Sequence, residues 1–502
     1  MAGKITKNFR LHSAEQFQEQ FDESDPSRLY FFISRANPWT EDTNPPEPSD
    51  TISDSVYRIW DDMLAMKSIS PADVSFGVDR VDWKTGTVYD TYSSESEFYT
   101  NNNFHVITDD YRVYKCLDNN NGAASTVKPT GRSLTPLTTS DGYIWKYMFT
   151  VTASDALKFS TVKIIPVKRI ESDDGSDQWD VQAAAVQGQI SATTISTAGT
   201  GYTEKVGTVV LGGTNNIRIE SSASGIADAY NGYSIYISSG TGAGQLRTIV
   251  NYDGSNKTVT VDSPFSPAVN TSSTYIVSPR ITFTGDGSGA AGYSRVQTGQ
   301  IVKVNMINFG SGYNRVEASA TANGGAGATL VPQISPPGGH GSDPVSELYA
   351  HNVIMNIRMT GSEGNTFPIS NDFRTVGLIA DPLLANSSPA TAINYDQTTK
   401  LTISNPSLNF VADEVITGSV SGAEGRFVEY FSNNVISVTG NLIPFSTSDT
   451  VTGDSSGATA TVDSITVPLL QRYKGKLLYV ENRSPISRAA DQMEDIKIVV
   501  RF

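Results

Sequence analysis

A single cysteine, Cys116, stands among 502 residues, which excludes an intrachain disulfide and any multi-cysteine zinc site. Histidine is nearly as scarce, with four in all. His12, His105, His340 and His351 make no pair at metal-ligand spacing on one element, so no metal site is expected. Basic residues are outnumbered too: 37 Lys and Arg against 52 Asp and Glu leave a formal charge of −15. That sign repels a phosphate backbone, so nucleic acid is not expected as a partner. Long apolar runs are missing as well. None approaches the roughly 18 residues that span a bilayer, and Met1 to Arg10 lack the apolar stretch of a signal peptide. The expectation is a soluble product, with neither membrane nor export in its life.

What the chain does have is length, 42 glycines and many short β-type runs. At about 150 residues per domain, it divides into some three domain-sized pieces. The fold class expected is mainly β, an α+β framework with two short N-terminal helices. Ser13 and Gln16 stand at capping-box spacing with Phe17 and Phe21 on one face, which predicts a helix over 13–22. Val56, Ile59, Trp60, Met63 and Leu64 recur at helical spacing, and predict a second, amphipathic helix from Asp54 to Lys67. Between them Leu29 to Ile33 is a continuous apolar run, read as a strand buried on both faces. Farther on, Asp141-Gly142 opens a strand in which Tyr143, Trp145, Tyr147 and Phe149 share one face, taken as a core face. The acidic stretch Glu171 to Asp180 reads as a solvated linker.

After Asp180 the composition shifts to Ala, Gly, Ser and Thr. Gly199-Thr200-Gly201-Tyr202 recurs as Gly310-Ser311-Gly312-Tyr313, implying two related hairpin-like units, and Tyr230 to Val277 reads as a separate meander. A cleaner repeat follows. Phe410, Val415, Thr417-Gly418 and Ser421-Gly422-Ala423 match Phe445, Thr450, Thr452-Gly453 and Ser456-Gly457-Ala458, 35 residues on. Two copies fall short of a solenoid, so a small β module is expected.

The chemical motifs are weak. Gly453-Asp454-Ser455-Ser456-Gly457 has the spacing of a serine-hydrolase elbow, but a strand-like run follows it where a helix is required. A hairpin turn is expected. Gly240 to Gly244 and Gly285 to Gly289 open no helix and so cradle no phosphate. His340, in Pro336-Pro337-Gly338-Gly339-His340-Gly341, is expected in a loop that it helps to fix. No catalytic, metal or cofactor-binding residue is expected, and no enzyme.

Several stretches carry a resemblance. They are Arg35-Ala36-Asn37-Pro38-Trp39, Asp54-Ser55-Val56-Tyr57-Arg58-Ile59-Trp60, Tyr114-Lys115-Cys116-Leu117-Asp118, Arg132-Ser133-Leu134-Thr135-Pro136 and Asp141 to Phe149. Phe373-Arg374-Thr375-Val376, Asp381-Pro382-Leu383, Tyr479 to Ile486 and Asp491-Gln492 continue the series. In this order they resemble the gene-eight baseplate wedge subunit of T-even-type contractile-tailed phages, over about half the residues. The resemblance implies a late, structural virion protein of the tail baseplate, assembled in the host cytoplasm as a homodimer with other wedge proteins. It also implies a discontinuous framework (1–188, 341–394 and 467–502) interrupted by β insertions at 189–340 and 395–466. Interface candidates are Arg35, Trp39, Trp60, Glu481, Arg483 and Asp491, since Trp and Arg concentrate at the energetic centres of interfaces. The competing reading is a tail adhesin that binds host glycans through the insertions, on tyrosines such as Tyr202, Tyr233, Tyr236 and Tyr313.

Overall fold

The computed structural model describes residues 3–23, 27–95 and 103–502. The chain is mainly β and forms two compact units. The first comprises Met1–Gly77, Leu157–Phe159 and His351–Phe502, and the second Val78–Ala156 and Ser160–Ala350.

In the first unit a five-stranded sheet runs in the order Asn394–Asp396, Met63–Ser68, Leu29–Ser34, Phe373–Ala380, Lys476–Ile486. The strand Leu29–Ser34 lies at its centre and every one of its residues is buried, as its unbroken apolar run requires. Leu29, Phe31 and Ile33 enter a core with Met355, Phe373 and Leu378. Tyr30 and Phe32 enter a second one, with Trp60, Met66 and Tyr395, on the opposite face.

Both helix expectations need correction. The first helix spans Lys7–Glu19, and Thr6 caps it by accepting a hydrogen bond from the Phe9 N–H at 3.3 Å. Ser13 sits inside the helix, its hydroxyl turned back onto the Phe9 carbonyl, as a mid-helix serine can do. Phe17 and Phe21 still meet edge to face, 5.9 Å apart. The expected helix Asp54 to Lys67 ends early: a wide turn at Ser53–Arg58 and a short helix Ile59–Asp61 lead into the strand Met63–Ser68. Met63, Leu64, Ala65 and Met66 are apolar at four consecutive positions, so they fit a strand buried on both faces as well as a helix. Pairing with Leu29–Ser34 decides for the strand, and Val56 and Tyr57 stay exposed.

The 35-residue repeat closes into a six-stranded barrel in the first unit, Thr399–Ser404, Val435–Thr439, Glu424–Ser432, Val415–Gly418, Thr450–Gly453, Thr459–Thr466. Equivalent residues of the two copies face each other where the copies join: Leu401 pairs with Ile436 and Thr417 with Thr452. The barrel therefore has an internal twofold. The carboxylates follow it crosswise. Glu414 of the first copy accepts from the Ser455 and Ser456 N–H groups of the second. Its equivalent Asp449 accepts from the Val420 and Ser421 N–H groups of the first, both at 2.8 Å. Two copies suffice because they interlock and leave no open edge. Gly453 to Ala458 forms the expected turn, its ends joined by a Gly453 N–H to Ala458 carbonyl bond.

Burial is the largest influence on the Asp449 carboxyl and resists its ionisation. Hydrogen bonds from Ser421, Ser446 and Val420 outweigh it and hold the group down at about 2. A carboxyl depressed from about 4 contributes stability that is complete above the unfolded value and lost as pH falls towards the folded one. Acid titration followed by circular dichroism is expected to show the barrel weakening between about pH 4 and 2. Asp449→Asn is expected to be less stable at pH 7 and to lack that part of the acid transition.

In the second unit the strand Ile144–Thr150 pairs with Arg112–Asp118 and Leu137–Thr138. Tyr143, Trp145 and Tyr147 lie in one core cluster with Tyr89, Tyr114 and Cys116, so the aromatic face is a core face. The acidic stretch is not wholly a linker: Ser176 caps a helix Asp177–Ala183, accepting from the Trp179 N–H at 3.1 Å, a favoured use of serine at this position.

The two Gly-x-Gly-Tyr turns occupy equivalent places in one six-stranded sheet. Gly199, at φ 66°, lies so close to Ala326, Ala328 and the Tyr202 ring that a Cβ would collide. Gly310, at φ 64°, is held identically by Ser288, Ala290 and the Tyr313 ring. Between the first turn and the rest of its copy, a second sheet runs from Lys205–Thr208 to Thr274–Ser278. The meander thus sits inside one copy of a duplicated motif.

Candidate interface site and a buried charge cluster

Arg35 ends the central strand of the first unit at φ 63°, a left-handed turn that swings the chain out of the sheet. Its guanidinium stacks over the Trp39 ring, 3.7 Å from the centroid, and donates to the Pro38 carbonyl at 3.1 Å. The Trp39 indole N–H donates to the Arg483 carbonyl at 2.9 Å. Arg483 stands 3.6 Å from Glu481, which accepts from the Tyr479 hydroxyl at 2.7 Å. Arg35, Trp39, Glu481 and Arg483 are thus brought together by two strands of one sheet and the loop after the first. An open cleft of about 210 Å³ lies beside them, with Pro46, Arg58, Asp62 and Asn482 in its wall. Asp62 faces Arg35 at 4.0 Å. Burial pushes its carboxyl up, against the pull of Arg35.

The other two candidates lie elsewhere. Trp60 is buried in the core behind the sheet, and Asp491 is exposed in the turn before the last strand.

Arg374, absent from the sequence-based candidates, fixes this loop. It is buried and grips Asp42 with two bonds of 2.9 Å while donating to the Ala36 carbonyl at 2.9 Å. Its signal was an arginine inside an otherwise apolar strand run. Arg374→Ala is expected to cost about 1.5–3 kcal/mol, the range for hydrogen bonds to charged groups. Arg374→Lys should recover only part of it, since an ammonium cannot reproduce the forked geometry. Urea unfolding checks both.

The second unit holds a closed cluster of charge. Lys115, in the strand Arg112–Asp118, and Glu347, in the short helix Pro344–Glu347, form an ion pair, with side chains 0% and 1% exposed. Glu347 also accepts from the Gly341 N–H at 2.8 and 3.0 Å and the Asp343 N–H at 3.1 Å. Lys146 is buried beside them and donates to the Leu134 carbonyl. His340, in the loop after Pro337, is buried and edge-on to the Tyr92 ring at 4.9 Å. Neither of its ring nitrogens has a hydrogen-bond partner among the described residues. Burial lowers the Lys115 ammonium against the pull of Glu347. It also lowers Lys146 to about 8. The His340 imidazole is held well below its usual value, first by burial and then by the two lysines. Lys115 and Lys146 carried a signal in the sequence, each a lysine within an apolar strand run, but Glu347 carried none.

The first of these sites is a rigid loop platform and the second an enclosed ionic joint. No family model matches the chain. It is similar to the baseplate wedge protein gp8 of Enterobacteria phage T4, with 22% identity over 200 residues, 32% of this chain and 60% of that protein. The chain therefore spans less than two thirds of that relative's length.

Proposed function

We propose that the chain is a structural protein of a phage tail baseplate. Its similarity to a baseplate wedge protein carries the reading, and the mainly β fold agrees with it. In finer detail, the protein is a wedge subunit of the virion, assembling in the host cytoplasm as a homodimer that binds other wedge proteins. Its framework carries β insertions at 189–340 and 395–466. The platform of Arg35, Trp39, Glu481 and Arg483 supplies one contact surface, because stacked Arg and Trp side chains lose little freedom on docking.

Of the tyrosines that motivated the glycan-binding reading, Tyr202, Tyr233 and Tyr313 are buried, and the half-buried Tyr236 stacks on Tyr293 with ring centroids 4.2 Å apart. Light scattering on the purified protein is expected to give twice the 53.9 kDa of one chain, and co-expression to recover wedge proteins with it. A stable monomer that binds none of them overturns the proposal.

A further inference from the structure

The cluster around Lys115 contains the parts of a reaction that the baseplate reading does not use. The Lys115 amine touches Glu347 Oε2. The N–H groups of Gly341 and Asp343 donate to the same carboxylate. The Tyr92 ring covers the amine, 5.0 Å from Nζ. His340 stands next to Tyr92, buried, with both ring nitrogens unengaged among the described residues. These groups supply an enclosed amine and, in contact with it, a carboxyl with donors placed for an oxyanion, two parts that acyl transfer needs.

We propose that Lys115 and Glu347 condense into an intramolecular isopeptide bond, joining the strand Arg112–Asp118 to the helix Pro344–Glu347. Lys115 gives up a proton and its nitrogen lone pair attacks Glu347 Cδ. The resulting oxyanion is held by the Gly341 and Asp343 N–H groups. The bond from Cδ to one carboxylate oxygen then breaks, its electron pair leaving with the oxygen. That oxygen takes both protons lost by nitrogen and departs as water. One ammonium and one carboxylate become one amide and one water, with no oxidation and no co-reactant. The first proton passes directly from Lys115 Nζ to the Glu347 oxygen that it touches.

The fold supplies the driving force. In water the reverse reaction dominates, but two groups fixed in contact behave as if present at about 10⁵–10⁸ M. Burying two charges is also costly, and the amide removes both. Closure of the site keeps out the water that would hydrolyse the product.

Mass spectrometry of the full-length, denatured wild-type protein tests this independently of the baseplate reading. The expected mass is one water below that of the sequence, and a protease digest is expected to yield one branched peptide joining Lys115 to Glu347. Glu347→Ala is expected to keep its full mass. The proposal is overturned by wild-type protein that keeps its full mass after prolonged incubation. It is equally overturned by a water lost elsewhere with Lys115 and Glu347 in separate peptides, or by the same loss in Glu347→Ala. The wild-type result requires no variant to fold.

Discussion

Measured against wild-type protein in which Lys115 and Glu347 have not yet condensed, Glu347→Ala is expected to remove about 3–5 kcal/mol of stability from the second unit, the cost of leaving one end of a buried ion pair without its partner. Three groups lose by it at once: the Lys115 amine, the Gly341 N–H and the Asp343 N–H all direct hydrogen bonds at this carboxylate. Water cannot replace it, since both side chains are sealed from solvent. The pair Lys115→Met with Glu347→Leu should recover most of the loss, because an apolar pair of similar volume restores packing and leaves no charge in the interior. Urea unfolding followed by tryptophan fluorescence reads both, Trp145 being buried in the adjoining core. A loss below about 1 kcal/mol, the scale of an exposed ion pair, would show that water reaches the site.

Phe31→Ala is expected to cost a similar about 3–5 kcal/mol, the range for truncating a fully buried aromatic side chain. Phe31 is 0% exposed, in the middle strand of the first unit's sheet, between Lys67 and Leu378 of its neighbours. Strands on both sides hold the backbone in place, so the cavity cannot collapse and the full packing loss remains. Phe9→Ala supplies the contrast: that ring is 60% exposed on the first helix, and a change within about 0.5 kcal/mol is expected. Thermal unfolding of the two variants separates burial from mere loss of an aromatic ring.

Much of the fold was legible because its signals are local. The run Leu29 to Ile33, stopped by Pro38 and Trp39, matched the short, fully apolar strand of a sheet covered on both faces. The aromatic alternation from Tyr143 marked a core face, and the 35-residue spacing marked a duplicated module. The candidate site was legible in part. Arg35, Trp39, Glu481 and Arg483 converge, whereas Trp60 belongs to the core and Asp491 lies apart. Arg374, which ties down the platform loop, went unread because its partners Asp42 and Ala36 are more than 300 residues away in sequence.

The sequence by itself determined the β character, the turn positions and the repeat, since backbone sterics and side-chain period act over a few residues. Tertiary structure alone decided that Met63 to Met66 extend as a strand, that Glu414 and Asp449 cap each other's copy, and that Lys115 meets Glu347 across 232 residues. In each case the local sequence was compatible with more than one arrangement. The burial of apolar surface and the pairing of buried charge, which depend on distant segments, chose among them.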